Sequence, residues 1–313
     1  MIKTDGIPQF MGVRIKRRED PALITGEAKY TADFKADDLL YLGIVRSPYA
    51  HARILDIDTS MAEELDGIVA IYTAADVEGV FQAPVPGGGM TPAHKEGKVP
   101  KRYPLTADVV RHVGEPVVAV LAENRYTLSD ALELIFVDYD PLDAVADAAE
   151  ALKEGAPIVH EEFGTNLAFI WENEQGAVDD AFANAAHTIE LEVENQRVIA
   201  NAMEPRAAFA TFDADSGQST LWTSTQAPHV VLGEMCKIFD VTPEQMRIIA
   251  PEVGGGFGVK ANIYHEEILA VYASRTLNRP VKWAASRSED YLSTAQGRGQ
   301  TQTVSLAADA EGK

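Results

Sequence analysis

Residues 116–121 read Pro116-Val117-Val118-Ala119-Val120-Leu121, an unbroken apolar run with the length of a buried β-strand. A helical pattern follows from Thr127 to Leu134. A second strand pattern, rich in β-branched and aromatic residues, runs from Ile135 to Tyr139. This order of strand, helix and strand predicts a unit of α/β architecture.

A similar arrangement lies upstream of this unit. The runs 40–46 and 68–72 have the composition of strands, and a short helix is predicted between them from Met61 to Leu65. Gly67 follows that helix, at a position where glycine commonly ends one. The first half of the chain is therefore predicted to be an α/β domain.

The second half of the chain carries different patterns. Residues 141–165 contain two prolines and two glycines and are predicted to connect the two halves. The run 188–194 alternates apolar and acidic residues, which predicts a half-buried strand whose acidic residues face water. The runs 209–212 and 219–224 flank the turn sequence 213–217, and this arrangement predicts a β-hairpin.

The overall composition argues against several classes of function. Of 313 residues, 46% are hydrophobic and 24% are charged, as in ordinary soluble globular proteins. A formal net charge of -21 argues against nucleic acid as a partner, because phosphate binding depends on clustered Lys and Arg. No apolar run approaches the ~20 residues that span a bilayer, and the N-terminus lacks the apolar core of a signal peptide. We therefore predict a cytoplasmic protein.

Cys236 is the single cysteine of the sequence. A disulfide framework within the chain is therefore impossible, and so is an iron–sulfur cluster held by four of its own cysteines. Cys236 lies in an amphipathic stretch, 230–239, with the pattern of a helix. A small buried hydrophobe is the favoured interpretation, and a nucleophile is the alternative.

The stretch with the strongest chemical signal is Gly254-Gly255-Gly256-Phe257-Gly258, between a predicted strand at 246–250 and a predicted helix at 265–277. Glycines allow backbone N–H groups to approach an anion or a cofactor oxygen closely. The stretch lacks the Gly-Lys-Ser/Thr ending of a P-loop, and no Gly-x-Gly-x-x-Gly opens a helix here. Taken alone, a cofactor loop and a tight structural turn are equally good interpretations.

Gln226 lies upstream of this loop, at the end of a predicted strand and before Pro228. Its amide both donates and accepts hydrogen bonds, which suits a ligand such as a metal oxo group, and loop capping is the structural alternative. His229 is predicted to lie at the start of a helix. A metal-ligand role is disfavoured, because no second His or Cys lies at metal-ligand spacing from it.

Two further stretches carry charged residues or glycines. Glu204 and Arg206 bracket a proline in an apolar setting, where they could form a buried ion pair or line a pocket, and a structural role is favoured. The Pro- and Gly-rich residues 82–92 are predicted to form an exposed loop.

With these residues laid out, the chain resembles the molybdenum hydroxylase family of xanthine dehydrogenase, aldehyde oxidoreductase and carbon monoxide dehydrogenase. The resemblance implies an α+β fold, with an α/β hammerhead domain over residues 1–150 and the first, incomplete part of a molybdopterin-binding domain over residues 151–313. The motifs that carry it follow one another along the chain: Thr25-Gly26-Glu27-Ala28-Lys29-Tyr30, Arg46-Ser47-Pro48-Tyr49-Ala50-His51-Ala52, Val113-Gly114-Glu115-Pro116-Val117, Met203-Glu204-Pro205-Arg206, Gln226-Ala227-Pro228-His229 and Gly254 to Gly258.

The resemblance also implies roles for individual residues and a cofactor, molybdopterin with molybdenum. Gln226 matches the family glutamine that hydrogen-bonds an oxo ligand of molybdenum. Phe257 and Gly258 match a pair that packs over the pterin and offers backbone contacts, with Gly255 and Gly256 beside them. Glu-Pro-Arg and Gln-Ala-Pro-His are most similar to large subunits of the carbon monoxide dehydrogenase type, which implies the cytosine dinucleotide form of the cofactor.

The implied reaction is oxidation of a small substrate with oxygen derived from water. Xanthine dehydrogenases carry a glutamate where this chain has Ala261, so a purine substrate is disfavoured, while carbon monoxide, an aldehyde and an N-heterocycle stay open. Glu204, Arg206 and Ala261 are candidates for lining the pocket. The glutamate that acts as the base in this family is expected outside this chain, which itself provides no direct metal ligand.

Partner chains are expected for the remaining functions. The resemblance implies [2Fe–2S] clusters on an iron–sulfur subunit and FAD on a third subunit. The chain stops at a predicted hairpin turn, which would leave a strand without its partner. We therefore predict a split enzyme in which a second molybdopterin-subunit half completes the pocket, with a truncated chain as the competing explanation. A non-catalytic scaffold that binds no cofactor alone is the alternative function, and a nucleotide-binding protein is a weaker one.

Overall fold

The computed structural model describes residues 14–86 and 97–313, so residues 87–92 of the predicted exposed loop lie outside the described part. Its strands are β1 Leu40–Arg46, β2 Ala52–Asp58, β3 Ile68–Tyr72, β4 Val109–Val110, β5 Pro116–Ala122, β6 Phe136–Pro141, β7 His187–Asn195, β8 Ala207–Asp213, β9 Gln218–Thr223, β10 Met246–Ile249, β11 Val281–Ala284 and β12 Gln300–Ala308. Its α-helices are α1 Asp20–Thr25, α2 Ser60–Glu63, α3 Arg125–Leu134, α4 Val178–Ala183, α5 Pro228–Phe239, α6 His265–Leu277 and α7 Arg287–Ser293.

A seven-stranded sheet forms the centre of the molecule, in the order β10-β9-β8-β11-β1-β5-β3. All seven residues of β5 are buried, and β5 pairs antiparallel with both β1 and β3. Strand β1 pairs parallel with β11, so strands from both halves of the sequence share this one sheet. The apolar run at 116–121 was correctly predicted as a buried strand.

The strands on either side of α3 belong to different sheets. Strand β6 leaves the central sheet and pairs with β2 in a small sheet of order β4-β2-β6. No strand was predicted at β2, because its charged residues dilute the apolar pattern that would have shown it as the partner of β6. Helix α3 begins two residues before its predicted start, because the Asn124 side chain accepts hydrogen bonds from the backbone N–H groups of Tyr126 and Thr127 and caps it there.

The second half builds the other side of the central sheet. Strands β8 and β9 form the predicted hairpin, and α5 connects β9 to its parallel neighbour β10. Helix α6 has the predicted bounds and packs against the sheet, with most of its side chains buried. The glycine-rich loop therefore runs between an outer strand of the central sheet, β10, and a core helix, α6.

Strands β7 and β12 form a separate antiparallel ribbon, which corrects two predictions. Every residue of β7 is exposed, so the predicted half-buried strand is wrong: no described element covers its apolar residues. Strand β12 is not left without a partner, because it pairs with β7 along nine residues. A ribbon of only two strands gains little stability by itself.

Candidate functional site

The glycine-rich loop leaves β10, passes through Gly254 to Gly258 and enters a 3-10 turn at Val259–Ala261. Gly255 and Gly258 have φ values of 97° and 93°, which side-chain-bearing residues rarely adopt. A Cβ atom on Gly256 would overlap the side-chain amide of Gln226. The loop therefore requires glycine both for its backbone conformation and for its close approach to Gln226.

Phe257 is an apolar side chain held in an unusual position. Its φ is 51°, in the left-handed region, and its side chain is 74% exposed. A bulky residue in that region costs about 1–2 kcal/mol. Strain of this kind persists where the surrounding structure imposes it, and it clusters at functional sites. The ring edge lies 2.9 Å from where a Cβ on Gly255 would stand, so the ring folds back over the loop.

Gln226 lies directly against this loop, as the sequence predicted for a shared site. Its backbone N–H donates to the Lys260 carbonyl oxygen at 2.9 Å. The Gly258 N–H donates to its side-chain Oε1, also at 2.9 Å. With Oε1 as the acceptor, Nε2 of this exposed side chain makes no hydrogen bond to any described residue and stays available as a donor.

Glu204 lies behind the loop and pairs with Lys260, not with Arg206. Its Oε2 is 2.9 Å from the Lys260 ammonium group and accepts the Gly254 N–H at 2.8 Å. The hypothesis of an ion pair between Glu204 and Arg206 is therefore wrong. The choice of partner depends on tertiary packing across more than fifty residues, which no local pattern reveals.

Arg206 belongs to a buried cluster that ties three elements together. It pairs with Glu266 of α6 at 2.9 Å and donates its backbone N–H to Asp290 of α7. Its guanidinium group lies 3.7 Å from the ring centre of Tyr264, a cation–π arrangement. Arg46 of β1 is the second ion-pair partner of Glu266, at 2.5 Å. This network supports the structural role that the sequence favoured for Arg206.

Neighbouring residues of α6 have shifted pKa values. Burial opposes ionisation of Glu266, but the guanidinium groups of Arg206 and Arg46 outweigh it and lower the pKa of the carboxyl group. Burial raises the pKa of Glu267 to about 7, against hydrogen bonds from Thr223 and the Tyr264 backbone. Burial also lowers the pKa of His265 to about 4. The cluster is packed beneath the sheet, so these shifts accompany burial in the core.

The other candidates occupy positions with less chemistry. Ala261 is half-buried in the turn after the loop, where its N–H donates to the Gly258 carbonyl at 3.2 Å. His229 lies in the first turn of α5, as predicted. Cys236 is partly buried against the core, and burial together with the nearby Glu244 raises the pKa of its thiol, which disfavours a nucleophile.

Across residues 14–86 and 97–313, no group of three His, Cys, Asp or Glu residues could hold a metal ion.

Sequence reasoning missed Lys260 as a member of this site. Its side chain is 1% exposed, and its Nζ donates to both the backbone carbonyl and the carboxylate of Glu204. Lys260 follows Gly258 by only two residues, which places it near the loop. A lysine after a loop is usually exposed, however, and no local pattern predicts its burial.

Two known domain families match consecutive parts of the chain. Residues 25–143 match the domain described as "Aldehyde oxidase and xanthine dehydrogenase, a/b hammerhead domain", and residues 159–313 match the "Molybdopterin cofactor-binding domain". The chain belongs to the aldehyde oxidase and xanthine dehydrogenase family. This membership confirms the predicted resemblance and the α+β fold class.

Relatives in this family are oxidoreductase subunits of greater length. The chain is 38% identical to the nicotine 6-hydroxylase large subunit of Paenarthrobacter nicotinovorans, over 97% of this chain and 36% of that protein. It is 33% identical to the carbon monoxide dehydrogenase large chain of Afipia carboxidovorans, over 97% of this chain and 38% of that protein. The chain thus spans a little over a third of the length of these family members.

A solved family member has the same fold. The structure of quinoline 2-oxidoreductase from Pseudomonas putida 86 matches with a TM-score of 0.85 at 33% identity, covering 95% of this chain and 37% of that one. The domain boundary at residue 150 stays a prediction, since the two domain matches leave residues 144–158 unassigned. The described part of the chain contains no helix long and apolar enough to cross a membrane, and the cytoplasmic location stays a prediction as well.

Proposed function

We propose that this chain forms one wall of a molybdenum–pterin site in a multi-subunit enzyme that oxidises a small substrate with oxygen derived from water. The observation that carries this proposal is the contact between Gln226 and the glycine-rich loop. It presents a free amide donor, backbone N–H groups and an exposed aromatic ring on one surface.

The groups on this surface fit a pterin cofactor. A Cβ on Gly258 would meet no atom within 4 Å, so the space beside the loop is open. Glycines on one side leave the backbone accessible to a planar ring, and Phe257 supplies an apolar face. The Gln226 Nε2 would supply a hydrogen-bond donor to the cofactor. When bound, the molybdenum cofactor supplies the two-electron oxidation chemistry.

In this proposal the residues of this chain hold and orient the cofactor. Gly258 fixes the Gln226 amide by donating its backbone N–H to the side-chain Oε1, so the Nε2 donor points in a set direction without reorganising. Phe257 would cover the pterin and exclude water from it. The base that moves the substrate proton is proposed to be a glutamate outside this chain.

The cofactor form and the substrate are finer parts of the proposal. We propose the cytosine dinucleotide form, with [2Fe–2S] clusters on an iron–sulfur subunit and FAD on another. Cys236, the single cysteine, supports placing the clusters elsewhere. The methyl side chain of Ala261 offers no hydrogen bond to a purine, which favours carbon monoxide, an aldehyde or an N-heterocycle as substrate.

The ribbon of β7 and β12 supports a further molybdopterin-subunit segment as a partner. Residues alternate across a strand, so its apolar residues share one face and its glutamates share the other. Ile189, Leu191, Val304 and Leu306 are each more than half exposed. We propose that this apolar face is covered by the region corresponding to the remaining length of the relatives. A denaturing gel of the native complex shows whether that region is a second polypeptide or a continuation of this one.

The substitution Gln226→Ala tests the proposed role in the native complex. We expect turnover to fall by about 100- to 1,000-fold, as for loss of one donor to developing charge, while subunit assembly and molybdenum content stay unchanged. Gln218→Ala, at a half-buried glutamine whose amide donates to the Glu244 carbonyl, is the matched control. Loss of assembly in the Gln226 variant would show a structural role instead.

A further inference from the structure

A buried ion pair lies directly behind the glycine-rich loop. Lys260 and Glu204 have side chains that are 1% and 11% exposed, and their charged groups are 2.9 Å apart. The Lys260 Nζ also donates to the Glu204 backbone carbonyl at 2.8 Å. The lysine therefore contacts both the side chain and the main chain of its partner.

The same two residues hold both ends of the loop. At its start, Gly254 donates its N–H to the Glu204 carboxylate and accepts the Glu204 N–H at 3.1 Å. At its end, the Lys260 carbonyl accepts the Gln226 N–H at 2.9 Å and the Thr225 hydroxyl at 3.0 Å. The ion pair thus closes the loop into a ring and attaches that ring to the strand end that carries Gln226.

Stability alone does not account for this pair. Removing two charges from water costs several kcal/mol per ion, and apolar residues of similar volume are often as stable. In addition, the Glu204 Oε1 is buried without a hydrogen-bond partner among the described residues. A buried unsatisfied acceptor is itself unfavourable, by about 1–3 kcal/mol. The contacts that the pair does make go to the loop and to Gln226.

The loop also packs tightly against Glu204. A Cβ on Gly254 would stand 2.5 Å from the Glu204 Cβ, so only glycine fits against Glu204 at this position. Because two hydrogen bonds also join these residues, we expect a shift of Glu204 to move Gly254. Gly258, four residues further on, carries the N–H that orients the Gln226 amide.

We propose that Glu204 and Lys260 are positioning residues, whose ion pair sets the relative placement of the Gly258 N–H and the Gln226 amide. The inference rests on the proposed function for its purpose, because that placement is what a bound pterin cofactor would meet. Neither residue needs to touch the cofactor. Removing the pair should loosen the loop without unfolding the sheet beneath it.

The test uses the double substitution Glu204→Gln/Lys260→Met in the full protein, purified as its native complex. Removing both charges together leaves no unpaired buried ion that could unfold the chain. Backbone hydrogen exchange is measured for the loop, residues 254–260, and for the core strand β5. We expect exchange in the loop to rise about tenfold or more, with β5 within about twofold of the wild type. The single substitution Lys260→Arg keeps the positive charge. It should retain most of the protection from exchange that the loop has in the wild type.

A control pair lies on helix α5. Half-buried Glu234 and exposed Lys237 form an ion pair at 2.7 Å, and Glu234→Gln/Lys237→Met should change hydrogen exchange in neither the loop nor β5. Equal increases in the loop and in β5 would show a role in global stability and overturn the proposal, and so would an unchanged loop. Pterin content of the same samples is measured separately. A wild-type complex without pterin would refute the proposed function and leave the exchange result to be judged by itself.

Discussion

Gly256 is the residue at which the loop and Gln226 come closest. Its hydrogen takes the place where a Cβ would overlap the Gln226 amide, and Gly258 then holds that amide by its N–H. Phe257 stands between these two glycines in a left-handed conformation. The arrangement fixes a donor and an aromatic ring on one surface, at the cost of a strained backbone.

The substitution Gly256→Ala should displace Gln226 from the loop. We expect turnover of the native complex to fall by about 100-fold or more, because the amide donor loses its fixed direction. Gly233→Ala in helix α5 is the matched control, since a Cβ there meets no atom within 4 Å. It should raise the unfolding free energy by about 0.5–1 kcal/mol and leave turnover unchanged. Normal turnover in the Gly256 variant would contradict the role of this contact.

Single residues differ in how far the sequence predicts them. Gln226 and Gly254 to Gly258 were predicted to share a site because the resemblance to the family implied it, while the glycine-rich stretch alone left a cofactor loop and a structural turn equally good. The partners of Glu204 and Arg206 were not predicted, because Lys260 and Glu266 reach them only through the packing of separate elements. Side-chain pairing of this kind depends on the assembled fold.

Elements are predicted well where one pattern decides them. Strand β5 is apolar throughout and is buried on both faces, and α6 has a capping arrangement in which Tyr264 and Glu267 bond reciprocally at its start. Strand β6 was predicted from the sequence, but the sheet to which it belongs was not. Its partner is β2, whose sequence pattern is too weak to predict a strand. The alternation in β7 predicted that its apolar face is buried. That face is exposed, and only another segment could cover it.

The apolar face of the β7–β12 ribbon predicts a contact that a single substitution should weaken. Leu191→Ser removes an apolar side chain that pairs across the ribbon with Val304. If the face is covered in the complex, we expect the covering segment to dissociate about tenfold more readily, from loss of about 1–2 kcal/mol of apolar burial. If the covering segment is a separate polypeptide, analytical ultracentrifugation measures its dissociation. If it continues this chain, hydrogen exchange across the ribbon measures it.

The control for that prediction lies on the other face of the same strand. Glu192→Ser changes a residue that pairs with Thr303 and points to the acidic side. It should leave the association unchanged. Equal effects of the two substitutions would show that the apolar face is not the contact surface.

The whole molecule is organised around one sheet that both halves of the sequence build. Pairing of β1 with β11 joins them, and the cluster of Arg46, Glu266 and Arg206 ties β1, α6 and the residues before β8 together. The glycine-rich loop and Gln226 both lie where this sheet gives way to helices, at the ends of β10 and β9. The site is therefore placed by the core rather than by the exposed ribbon.

We propose above that this chain provides one wall of a molybdenum–pterin site. Molybdenum and pterin analysis of the native complex, purified with all its subunits, tests it most directly. We expect about one molybdenum and one pterin for each copy of this chain, since the protein would hold and orient a cofactor that carries the chemistry. A fully assembled complex that contains neither would contradict the account and leave the chain as a scaffold.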